Sequence, residues 1–117
     1  MPLPARIPKK AKRATRWRSQ AHCSFVRSFA CSVCGETTNI EVAHVRLGSG
    51  AGMGQKPDDW RTVSLCGGIV GCHTRQHRVG EATFWRGRDV ETLIREFIAA
   101  SPRRAQIAQA QKERLDG

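Results

Sequence analysis

Residues 65–77 read LCGGIVGCHTRQH: Cys66 and Cys72 separated by five residues, His73 directly after the second cysteine, and His77 four positions further on. Upstream, residues 31–35 read CSVCG, with Cys31 and Cys34 two residues apart and 31 residues between Cys34 and Cys66. Two clusters of thiols suit tetrahedral zinc, because each pair closes one edge of the site while the chain between them folds as the finger. Cys31, Cys34, Cys66 and Cys72 are therefore the candidate structural zinc ligands. The second pair is more widely spaced than the usual two to four or so residues, so a set in which His73 replaces one cysteine stays open. Cys23 is left over and reads as a small packed hydrophobe.

His73 and His77 stand at i and i+4, which puts both imidazoles on one helical face at a separation suited to a single ion. An exposed helix carrying two unrelated histidines would show the same spacing. Here, however, His44 lies on a predicted strand before them, and Asp58 and Asp59 lie in the intervening loop.

Moving outward, the 117 residues suffice for one small domain, which at this size commonly leans on a metal or on disulfides. No acidic residue precedes Glu36, although the chain has 20 Lys+Arg against 10 Asp+Glu and a net charge of +10. Residues 1–18, with Pro2, Pro4, Pro8 and only positive charges, read as a flexible basic arm. Lys9, Lys10, Lys12, Arg13, Arg16 and Arg18 would give it affinity for a polyanion, most commonly nucleic acid; a tail that only aids solubility is the competing reading. No secretory signal and no membrane-length apolar run is visible, so a cytoplasmic location is expected. In a reducing compartment paired cysteines favour metal binding over disulfides.

The pattern predicts a small α+β fold. Ser19 caps a helix whose apolar positions are Ala21, Phe25, Val26 and Phe29. A knuckle turn at CSVCG leads into a hairpin whose returning strand, IEVAHVRL, carries His44 and, two residues on, Arg46 as a candidate phosphate clamp. The glycine-rich run from Gly48 to Gly54 is a loop, TVSLC a short strand, and HTRQHRV a helix that Gly80 interrupts. Trp60, Phe84 and Trp85 are expected in the core. Asp89 caps a helix with Val90, Leu93, Ile94, Phe97 and Ile98 on one face, and Ser101-Pro102 starts a last one.

The order CSVCG, VAHVR, LCGGIVGCHTRQH resembles the HNH endonucleases, whose ββα-metal finger grips a catalytic ion, often beside a four-cysteine zinc knuckle. Over residues 22 to about 86 it is similar to short prophage-encoded nucleases related to the phage recombination-enhancement nucleases. The resemblance implies a ββα-metal finger flanked by an N-terminal helix and C-terminal helices. With the arm and the C-terminal helices read from composition and periodicity, outside the motifs of the resemblance, the chain divides into the arm at 1–18, a nuclease domain at 19–88, and a helical extension at 89–117 packed on the same domain. The resemblance also implies His44 as general base, His73 and His77 as ligands of a catalytic Mg²⁺, Mn²⁺, Zn²⁺ or Ni²⁺ ion, DNA as substrate, and a recombinase or other phage recombination protein as partner. Ala43 stands where the family often has a metal-binding Asp, and the middle Asn of the signature has no counterpart. Asp58 or Asp59 is the expected carboxylate ligand, since magnesium in particular prefers oxygen. Two other readings compete: a non-catalytic zinc-finger DNA-binding protein, and an interaction module docking through its C-terminal helices.

Overall fold

The computed structural model describes residues 2–7, 16–51 and 55–116, so Lys9, Lys10, Lys12 and Arg13 lie outside the described residues. Helix α1 (Gln20–Arg27) starts where the Ser19 hydroxyl accepts the His22 amide at 3.1 Å. Strands β1 (Ile40–His44) and β2 (Thr62–Cys66) pair antiparallel, with Ile40 opposite Cys66 and His44 opposite Thr62. Helices α2 (Cys72–Val79) and α3 (Glu81–Phe84) follow, divided at Gly80, whose φ of +87° suits a residue without a side chain. Helix α4 (Val90–Ala100) begins at the Asp89 cap, which accepts the Thr92 amide at 3.0 Å, and α5 (Arg104–Asp116) ends the chain. The protein is thus a small α+β fold built on a two-stranded antiparallel sheet.

All five residues of β2 are buried, because α1 and α4 pack on the strand and the cysteine knuckle is bonded to it. The Ser32 amide donates to the Ser64 carbonyl at 2.8 Å, and the Ser64 hydroxyl donates to the Ala30 carbonyl at 2.8 Å. Val26, Ala43, Val45, Val63 and Leu65 are fully enclosed at the centre, with Phe84, Trp85, Ile94 and Phe97 around them. Ala43, just before His44, therefore faces apolar core.

Three local expectations need correction. No strand precedes β1 in residues 32–39: the Glu36 carboxylate ties up the Thr37 and Thr38 amides at 2.9 and 3.1 Å, and Asn39 takes a φ of +54°. Strand β1 stops at His44 because the Arg46 and Leu47 amides are given to the Glu81 carboxylate at 3.0 and 3.1 Å. Helix α1 buries His22 and Val26, while Phe29, beyond its end, is 42% exposed and meets Phe25 and Phe97 edge-on.

Residues 16–18, read from composition as the end of the basic arm, pack against the domain. Trp17 lies 5.8 Å from the Trp60 ring and its amide donates to Asp58 at 2.7 Å. Arg16 donates to Asp58, Gln55 and the Gly50 carbonyl, and Arg18 to the carbonyls of Lys56 and Pro57, so both arginines expected to reach for DNA are folded back on the domain. At the other end, α5 is anchored by buried Ile107 and by Arg114, which bonds both Asp58 oxygens at 2.9 and 3.0 Å and lies over the Trp60 ring.

The turn from β2 into α2 has no room at Gly71, where a Cβ would run into the carbonyl oxygens of Gly67 and Cys66. Gly71 also precedes Cys72 at the start of α2. Gly71→Ala should cost about 1–3 kcal/mol, the usual penalty of forcing atoms into filled space. It should also weaken zinc retention, since Cys72 shifts with the turn. Chemical denaturation with zinc analysis on the same sample checks both; wild-type values would show that the turn yields freely.

Candidate functional site

The knuckle turn, the end of β2 and the start of α2 bring four sulfurs together. Those of Cys31, Cys34, Cys66 and Cys72 all lie within 4.8 Å of one another, and none of the cysteines forms a disulfide. The Cys34 and Cys66 sulfurs are 3.6 Å apart; two thiolates each ~2.3 Å from one tetrahedral ion would be about 3.8 Å apart. Three of the four are buried and Cys34 is exposed. Burial should raise the Cys31 thiol, but the amides of Cys34, Val33 and Cys66 outweigh it and pull Cys31 down to about 6. Burial and the neighbouring thiols push Cys72 up instead. Four thiols this close cannot all ionise without a cation among them, so the donor set fits a soft metal ion such as zinc. His73 does not belong to this group.

His73 turns the other way. Its Nε2 lies 3.2 Å from Nε2 of His77, and its Nδ1 lies 3.0 Å from the Glu41 carboxylate. A cleft of about 340 Å³ opens over the pair, lined by Val42, His44, Arg46, Lys56, Pro57, His73, His77 and Glu81. The sheet supplies His44 and α2 supplies the other two imidazoles. The 3.2 Å spacing fits two nitrogens on one ion, each about 2.0–2.1 Å from it.

Neither aspartate lines this cleft, which corrects the expectation that Asp58 or Asp59 completes the ion's ligands. Asp59, 6% exposed, accepts from His44 Nε2 at 2.8 Å and from the Ser19 amide at 2.8 Å, with Arg18 close by. Burial acts to raise its carboxyl, but the hydrogen bonds from His44 and Ser19 and the charge of Arg18 hold it below the ordinary range. Asp58, 2% exposed, is saturated by Trp17, Arg16 and Arg114. Burial opposes its ionisation too, and the hydrogen bonds from Arg114, Trp17 and Arg16 prevail, so its carboxyl also lies low.

The sign of the Asp58 shift sets a prediction. A carboxylate whose folded pKa is depressed adds stability above its unfolded value of about 3.9, and that stability is lost as pH falls through the folded value. Wild type should therefore lose stability on acidification below about pH 4. Asp58→Asn should start about 2 kcal/mol less stable at neutral pH, a modest cost because Arg114 can rehydrate, and show less acid sensitivity. Urea midpoints from pH 3 to 7 check this, and parallel curves for the two proteins would refute it.

Next to the histidine cleft is a larger one, of about 710 Å³, lined by Arg18, Ser19, Gln20, Cys23, Ser24, Arg27, Lys56 and Asp59; Lys56 borders both. Cys23 lines this second cleft, and burial, with the charge of Asp59 adding to it, pushes its thiol up to about 11, which keeps it protonated. Sequence reasoning missed Glu41, Glu81, Lys56 and Arg27. Glu41 meets His73 only through the pairing of β1 with β2 and the 67–71 turn, Lys56 and Arg27 reach the clefts from other segments, and Glu81, four residues after His77, carried the one signal in spacing.

The family model described as a protein of unknown function, DUF968, matches residues 4–97. The chain belongs to the DUF968 family. In this DUF968 member the match includes all four clustered cysteines and every residue lining the histidine cleft, while α5 and Arg114 lie beyond it. No curated protein and no solved structure matches the chain. Among the described residues no helix is long and apolar enough to cross a membrane.

Proposed function

We propose that this DUF968 protein is a metal-dependent DNA endonuclease, with β1, β2 and α2 serving as the ββα-metal finger of an HNH-type site. The observation that carries the reading is the meeting of His44, His73 and His77 in one basic-lined cleft, with His44 braced by a buried carboxylate. Donation of the His44 Nε2 proton to Asp59 leaves Nδ1 to accept one. His44 then takes a proton from the water that attacks phosphorus, and Asp59 stabilises the imidazolium that results. The bond from phosphorus to the 3′ oxygen breaks, leaving a 5′ phosphate and, after protonation, a 3′ hydroxyl.

His73 and His77 are the residues that would hold the divalent ion, which when bound supplies Lewis-acid stabilisation of charge on the departing oxygen. Imidazole donors favour manganese, zinc or nickel over magnesium. Arg46 and Lys56 in the histidine cleft, with Arg27 beyond Lys56, offer cationic contacts for successive phosphates. In this reading zinc on the four thiols is structural and keeps α2 registered against β2. The resemblance to recombination-enhancement nucleases adds a recombinase as the partner that presents the DNA.

The test is nicking of supercoiled plasmid with manganese, magnesium, zinc or nickel, using His44→Ala as control. Nicking by wild type alone supports the proposal. A wild type that binds DNA but cuts it with none of manganese, magnesium, zinc and nickel overturns it in favour of a binding module.

A further inference from the structure

We infer that Glu41 is a positioning residue for His73, holding its imidazole with Nε2 toward His77, and that residue 67 is glycine to leave room for that carboxylate. The inference rests on the reading that His73 and His77 hold an ion. A carboxylate only accepts, so the 3.0 Å contact between Glu41 Oε1 and His73 Nδ1 places the proton of neutral His73 on Nδ1. The lone pair of Nε2 then faces the Nε2 of His77, 3.2 Å away. A carboxylate behind a ligating histidine fixes tautomer and ring orientation and makes the imidazole a better donor.

An ordinary surface ion pair would show the same 3.0 Å contact, since the Glu41 side chain is 49% exposed and that of His73 22%. Gly67 gives a second, independent handle on that contact. A Cβ on residue 67 would come within 2.5 Å of the Glu41 carboxyl carbon and Oε1, so the carboxylate lies directly on the glycine backbone. The Gly67 amide donates to the Asn39 carbonyl at 2.8 Å, which pins that backbone beside the start of β1. The backbone of Gly67 is not among those with positive φ, so an alanine there costs little beyond swinging the Glu41 side chain off His73.

The experiment uses full-length protein with its thiolate zinc in place, as wild type, Glu41→Ala, Glu41→Gln, Gly67→Ala, the Gly67→Ala/Glu41→Ala double variant and His73→Ala. Nitrogen-15 NMR of His73 should show the Nδ1–H tautomer in wild type and a shift toward Nε2–H in Glu41→Ala and Gly67→Ala. Calorimetric titration with Co²⁺ should give a second-site affinity about 10–100-fold weaker in Glu41→Ala, by analogy with outer carboxylates of other metal sites. Glu41→Gln, which keeps an acceptor oxygen, should fall between, and the double variant should bind no more weakly than Glu41→Ala alone. An unchanged tautomer and affinity in Glu41→Ala, or additive losses in the double variant, would overturn the inference while leaving the ion site standing. Absence in wild type of any Co²⁺ binding that His73→Ala removes would overturn the ion site and this inference together.

Discussion

Cys31→Ser should lose its zinc and, with it, the fold. The four thiols join three separate pieces of chain: the knuckle, the end of β2 and the start of α2. Cys31, Cys66 and Cys72 are also part of the buried core rather than an appendage to it. Zinc on such a set is worth roughly 10–16 kcal/mol in small zinc domains. The whole stability of a domain is about 5–15 kcal/mol, so weakening the site removes most of what holds it folded. A serine hydroxyl does not ionise near neutral pH and is a poor soft-metal ligand. Elemental analysis should fall from about one structural zinc per chain to near none, with loss of the cooperative melt followed by circular dichroism. Wild-type zinc content and melting in this variant would show that the thiols are not the ligand set.

His44→Ala should abolish nicking while leaving zinc content and melting close to wild type. General-base catalysis contributes on the order of 10²- to 10⁴-fold, enough to bring plasmid nicking below detection. The separation from folding is expected because His44 ends its strand and lines a cleft, and because Asp59, its partner, keeps the Ser19 amide and Arg18 when the imidazole is gone. Single-turnover nicking with each metal, beside circular dichroism of both proteins, makes the comparison. Equal cutting by the two would remove His44 from the base role.

Features that depend on local spacing were legible in the sequence. Cys31-x-x-Cys34 and the Cys66…Cys72 pair predicted the thiol cluster, and the i, i+4 histidines predicted the adjacent imidazoles. Caps at Ser19 and Asp89 marked the starts of α1 and α4. Features that depend on long-range pairing were not. Asp59 reads from sequence as a loop acid open to a metal, and only the fold shows it buried against His44, Ser19 and Arg18. Asp58 reads the same way until Arg114, 56 residues later, closes on it. Arg16 and Arg18 look like part of a mobile basic tail because composition cannot reveal that Trp17 between them docks beside Trp60. Glu41 and His73 are 32 residues apart and meet through β-pairing and a glycine turn, which no periodicity records.

The tryptophans have a practical consequence. Trp85 is buried in the core and its indole nitrogen donates to Gln76 of α2 at 2.8 Å, next to the helix that begins at Cys72. Trp17 and Trp60 sit face to tilted face where the basic N-terminal segment joins the domain, with Arg114 over one ring. The three tryptophans thus form two native optical reporters, Trp85 beside α2 and the Trp17–Trp60 pair where residues 16–18 meet the domain. Emission from Trp85 follows the packing of the helix that begins at Cys72, and emission from the Trp17–Trp60 pair follows the docking of residues 16–18, so a fluorimeter and Trp→Phe variants can watch each event without a label.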